Sequence, residues 1–179
     1  GTDNAFLRTS LSRFSNKTKD GYRCAQFKFD DVYTPETGKD LVLSAKIRLT
    51  ESTKEDATSF AGFRIGETRV TAQTAGITPG QWVNVKYIVN STGSKFYVEG
   101  EQKLAGTETS IDMINFGALN ADGTDGPEMK IADGEQHPWV DIDDVVVYNA
   151  ADGVNDPVPP IVAQEMGTPK PTPSPTPSP

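Results

Sequence analysis

Asp40 to Thr50 reads DLVLSAKIRLT, and its alternation decides the fold. Leu41, Leu43, Ala45, Ile47 and Leu49 fall on one side of an extended chain, and Val42, Ser44, Lys46, Arg48 and Thr50 on the other. That period of two marks a strand with one face in a core. The same rhythm recurs outward from this segment. Residues 22–29 precede it. After it come TSFAGFRIG (58–66), TRVTAQ (68–73), WVNVKYIVN (82–90), SKFYVEG (94–100), a strand over 111–119 and WVDIDDVVVYN (139–149). Cys24 alternates with core positions in its strand and reads as a buried small hydrophobe. The best helix candidate, TESTKEDATS (50–59), has too few apolar residues to pack. Strands joined by polar loops predict an all-β chain, a two-sheet antiparallel β-sandwich of jelly-roll topology.

Two domains of composition follow. Residues 1–154 carry the core pattern, whereas 155–179 hold nine prolines in 25 residues and end in TPKPTPSPTPSP. Such a stretch favours extended polyproline conformations and reads as a linker. The net charge of −8 argues against nucleic acid or an anionic membrane as partner. No run of 18 apolar residues is present to span a bilayer. One cysteine and one histidine do not make a transition-metal cluster.

GQWVNVKYIVNSTGSKFYVEGEQ (80–102) resembles the central hairpin of concanavalin-like and laminin-G-like domains, through Gly80, Trp82, Val85, Tyr97, Val98 and Gly100. The closing WVDIDDVVVYN is similar to the last strand of such sandwiches. Among that superfamily the proline-threonine stretch favours a bacterial carbohydrate-binding module. The resemblance implies a secreted protein whose partners are an extracellular polysaccharide and a covalently linked catalytic or scaffold domain. A laminin-G-like adhesion domain binding protein or host glycan at a bacterial surface is the alternative. The chain lacks the E-x-D-x-x-E signature of the glucanase members, so the expectation is a domain that is not an enzyme.

Candidate site residues come from the strand faces turned away from the core. Lys46, Arg48, Arg64 and Lys86, with Lys28, are cations there, and Trp82 and Asn84 share the face of Lys86. Tyr97 is the accompanying aromatic. Pyranose rings stack on Trp or Tyr, amides and cations donate to hydroxyls, and Lys and Arg pair with uronate carboxylates. The expected ligand is therefore a plant cell-wall polysaccharide, acidic pectin ahead of neutral glycans. Asp141, Asp143 and Asp144 form the one carboxylate-dense strand. A glycosidase dyad there is weighed and set below metal binding, because Ca²⁺ is held by several such oxygens. By the same resemblance, Asp143 and Asp144 with Asp3 and Asn4 would hold a structural calcium joining the chain start to the last strand.

Overall fold

The computed structural model describes residues 6–10, 25–50, 59–120 and 139–160. Ten strands and one short helix follow in order: β1 (Leu7–Ser10), β2 (Ala25–Tyr33), β3 (Asp40–Leu49), β4 (Ser59–Ile65), β5 (Thr68–Thr71), α1 (Ala72–Ala75), β6 (Trp82–Asn90), β7 (Gly93–Val98), β8 (Glu101–Gly106), β9 (Ile111–Asn120) and β10 (Trp139–Ala150). They build a six-stranded sheet, β1-β10-β3-β6-β7-β8, and a four-stranded sheet, β2-β9-β4-β5. The paired strands run antiparallel, and the two sheets stack as a jelly-roll sandwich.

The segment that opened the reading becomes β3, flanked by β10 and β6 near the middle of the larger sheet. Leu41, Leu43, Ala45, Ile47 and Leu49 are buried, as the alternation requires. They share the core with Tyr87 and Phe96 of the same sheet and with Phe63, Val70, Ile114 and Phe116 of the other. Phe63 meets Phe96 across the layers edge to face, with centroids 5.8 Å apart. The β6–β7 hairpin needs a glycine at Gly93, where φ is 132° and a Cβ would come within 2.6 Å of the Gly106 carbonyl oxygen.

Two strands and the helix depart from the sequence reading. β1 and β8 are short, with 4 and 6 residues, and carry little apolar pattern, so alternation did not mark them. TRVTAQ is strand only to Thr71, which caps α1: its hydroxyl accepts from the Thr74 N–H, and the Thr74 hydroxyl receives the Thr71 N–H.

The outer face of the larger sheet is partly covered by the chain itself. After β10 the segment 151–156 crosses β6, and Lys86 Nζ donates to the carbonyls of Gly153 (3.0 Å), Val154 (2.8 Å) and Asp156 (3.0 Å). Asp40 accepts the Gly153 N–H at 3.0 Å, and Val154 packs on Val42, Ile88 and Ala150 with Tyr97 and Tyr148. Val42 thus faces away from the main core, as read from sequence, yet is buried under this strap. Contacts with the sandwich therefore continue to Asp156. A Cβ on Gly153 would meet Val42 Cγ2 at 2.9 Å and Ile88 Cγ2 at 3.0 Å. Gly153→Ala is expected to lower stability by about 1–3 kcal/mol through overpacking, read as a shift in the urea midpoint.

A second latch closes the β5–β7 edge. Glu108 accepts from the Glu67 and Thr68 N–H groups at 2.5 and 2.9 Å, and from the Ser94 and Thr68 hydroxyls at 2.5 and 3.1 Å. Burial pushes its pKa up, but bonds from Ser94, backbone N–H groups and Tyr87 outweigh it and hold the carboxyl at about 2. Because the folded value lies below the ordinary 4.5, Glu108 contributes stability above that pH, and the contribution is lost as pH falls toward 2. Glu108→Gln should lower stability at neutral pH and flatten the acid limb of a stability-versus-pH curve; an unchanged limb would show that the latch contributes nothing.

Candidate functional site

Strand register sorts the outward residues of the larger sheet into rungs. One rung runs Arg8, Asp141, Arg48, Trp82 across β1, β10, β3 and β6. The next holds Asp143, Lys46 and Asn84, and the one after Val146, Ser44, Lys86 and Tyr97. Lys46, Arg48, Trp82, Asn84, Lys86 and Tyr97 therefore do share a face, as expected. Arg64 does not: β4 belongs to the four-stranded sheet, so its outward side chain lies on the opposite side of the sandwich.

The expected open panel of cations is also corrected, because the heads are engaged. Lys46 pairs with Asp144 at 2.7 Å, which pushes the lysine pKa up, and Arg48 pairs with Asp141 at 2.7 Å. Lys86 is held by the strap's three carbonyls and Tyr97 packs beneath it. Asn84 donates to Glu99 at 3.2 Å. Sequence alternation gives a face but not the groups that engage each cation, acids of β10 for Lys46 and Arg48 and strap carbonyls for Lys86.

Asp141 organises the upper part of this face. Its side chain is 0% exposed and receives Arg8 Nε at 2.7 Å, Arg8 Nη2 at 3.0 Å and Arg48 Nε at 2.8 Å. Each guanidinium lies over rings: Arg8 at 4.6 Å from Trp139 and 5.4 Å from Phe6, Arg48 at 4.8 Å from Trp82 and 5.5 Å from Phe6. The sequence reading missed Phe6 and Arg8, whose four-residue edge strand carries too short a pattern. A carboxylate clamped between two arginines has no free proton-transfer role, so the dyad weighed for Asp141 and Asp143 lacks its first member.

The calcium set meets a similar obstacle. Asp3 and Asn4 lie outside the described residues. Asp144 Oδ2 is taken by Lys46, and Asp143 Oδ1 accepts the Asp144 N–H at 2.8 Å where β10 bulges and Asp144 adopts φ of 51°. Among the described residues no three potential ligands converge. Cys24, His137 and the 121–138 loop also lie outside them.

The four-stranded sheet presents a different surface. One rung places Gln26 of β2, Asn115 of β9, Arg64 of β4 and Arg69 of β5 side by side. Among the described residues Arg64 and Lys28 form no ion pair, and no carboxylate occupies this rung. Asn115 is buried at 6% exposure and its Oδ1 has no hydrogen-bond partner. An unpaired buried acceptor costs about 1–3 kcal/mol, so it calls for a donor. The signal for Asn115 was present in sequence: an amide flanked by Ile114 and Phe116, on the outward side of an apolar strand.

No protein-family model and no curated protein matches the sequence. Solved structures do match in fold. A polysaccharide lyase of family 18 aligns over 84% of this chain and 90% of its own, at 11% identity and a TM-score of 0.47. An alginate lyase of polysaccharide lyase family 7 aligns over 81% and 77%, at 12% and 0.45. The alginate lyase from Corynebacterium sp. aligns over 63% of this chain, which spans 59% of that protein, at 11% and 0.41. These likenesses concern architecture. The expectation of a domain that is not an enzyme, argued from the missing E-x-D-x-x-E signature, is withdrawn, because these three solved structures that align with this chain are lyases.

Proposed function

We propose that the chain engages an acidic, uronate-bearing extracellular polysaccharide on the outer face of its four-stranded sheet. The observation that carries this is Arg64 on the outer face of β4, which forms no ion pair among the described residues. Arg64 calls for an anion that a planar guanidinium can grip, and the carboxylate of a uronate residue supplies it. A neutral pyranose carries no such group. The proline-rich composition beyond Asp156 suits a tether to a neighbouring module, which would raise the local concentration of polymer around it.

Affinity electrophoresis in gels containing polygalacturonate, alginate, xylan, glucan or mannan tests the reading. Retardation is expected in the two uronate gels and should weaken as salt screens the arginines. Free migration through both uronate gels would overturn it. Incubating the same polymers with the protein and assaying new reducing and unsaturated ends tells cleavage from retention.

A further inference from the structure

The geometry points to a second sugar-binding site on the opposite side of the sandwich, at the corner formed by Phe6 and Trp82, taking a pyranose ring that carries no carboxylate. The two rings are 41% and 38% exposed, with centroids 5.5 Å apart and planes at 77°. Two exposed aromatic surfaces meeting near a right angle make a concave apolar step, the shape that accepts the C–H face of a pyranose. This extends the polysaccharide reading to another surface, and the two proposals can fail separately.

Three features set this corner apart from an idle pair of surface aromatics. The rings are ordered before any ligand arrives: Arg48 lies over both and Arg8 over Phe6, and both guanidiniums are fixed on the fully buried Asp141. Little side-chain entropy is left to lose when a ring stacks there. Charge on this face is balanced, with Asp141, Asp143 and Asp144 against Arg8, Arg48 and Lys46. An anion is therefore not demanded, in contrast to Arg64. Finally, two guanidiniums carry ten N–H donors, more than the two oxygens of Asp141 can receive, so donors remain for sugar hydroxyls.

The strap limits the extent of the site. It lies across Lys86, Tyr97, Val42 and Ile88, leaving the Trp82 end of the sheet to the sugar. A short contact of this kind predicts affinities of about 0.1–10 mM for oligosaccharides.

The protein has two tryptophans, so Trp139→Phe leaves Trp82 as the sole indole reporter. Trp139 Nε1 is buried without a partner, and the substitution removes that unpaired donor while keeping a ring for Arg8. This variant is titrated with oligosaccharides of cellulose, xylan, mannan and galactan, and separately with oligogalacturonate and oligoalginate. A saturable change in Trp82 emission with at least one neutral series is expected. By isothermal titration in the parent chain, Trp82→Ala and Phe6→Ala should each weaken that binding at least about tenfold with circular dichroism unchanged. Arg64→Ala should leave it intact. Emission unmoved by every neutral series, or neutral binding intact in both ring variants, would overturn the site. Emission that responds to uronates alone would do so too, while leaving the uronate reading standing.

Discussion

Arg64→Ala is expected to weaken binding to uronate polymers by roughly ten- to a hundredfold, the equivalent of losing one charged hydrogen-bonded contact of about 1.5–3 kcal/mol. Arg64 is half-buried on β4 and forms no ion pair among the described residues, so its removal should leave the fold intact. Arg64→Lys keeps the charge but loses the planar two-pronged grip, and should fall between the parent and the alanine variant. Replacing the orphaned buried acceptor of Asn115 by an apolar group of similar size, as in Asn115→Leu, is neutral or stabilising, so the melting temperature should hold or rise. Unchanged retardation of Arg64→Ala in polygalacturonate and alginate gels would place the ligand elsewhere.

The sandwich was legible because burial of one strand face imposes a two-residue period that the chain cannot hide. DLVLSAKIRLT and WVNVKYIVN carry it in full, and they became β3 and β6, paired from Leu41 with Val89 to Arg48 with Trp82. The site was legible only by residue type. Alternation tells which side of a strand Arg64 takes, but not which sheet β4 joins, and that pairing order separates Arg64 from Lys46 and Arg48. Nor does it reveal that Lys86 ends among three carbonyls from residues 153–156. Cations that looked equivalent in sequence differ because three-dimensional neighbours, distant along the chain, either neutralise them or do not.

That difference gives the sandwich two chemically unlike faces. On the larger sheet, acids from β10 and carbonyls from the strap engage the cations, and the aromatics Phe6 and Trp82 stay exposed beside the ion pairs. On the smaller sheet the rung through Asn115 contains no acid, and Arg64 has no ion-pair partner among the described residues.

The largest loss of stability should come from Asp141→Ala, at about 3–5 kcal/mol, because it strands two guanidiniums around a site that is fully buried. For a domain of about 150 residues each kcal/mol is worth about 2–4 °C, so the melting temperature should drop by roughly 10–15 °C. The Arg8 share is the smaller, since that side chain is 43% exposed and solvent screens it, whereas Arg48 is 25% exposed. Among the described strands β1 pairs with β10 alone, and Arg8 anchors that four-residue strand by its ion pair, so its amides should lose hydrogen-exchange protection first. Asp141→Leu combined with Arg8→Met and Arg48→Met should recover most of the lost stability, because an apolar replacement leaves no buried charge unpaired. The same triple variant removes the guanidiniums beneath Phe6 and Trp82, and neutral-sugar binding should not return with the fold. A melting temperature within a degree of the parent for Asp141→Ala would mean that the arginines find water instead, and the ordered aromatic corner would lose its foundation with them.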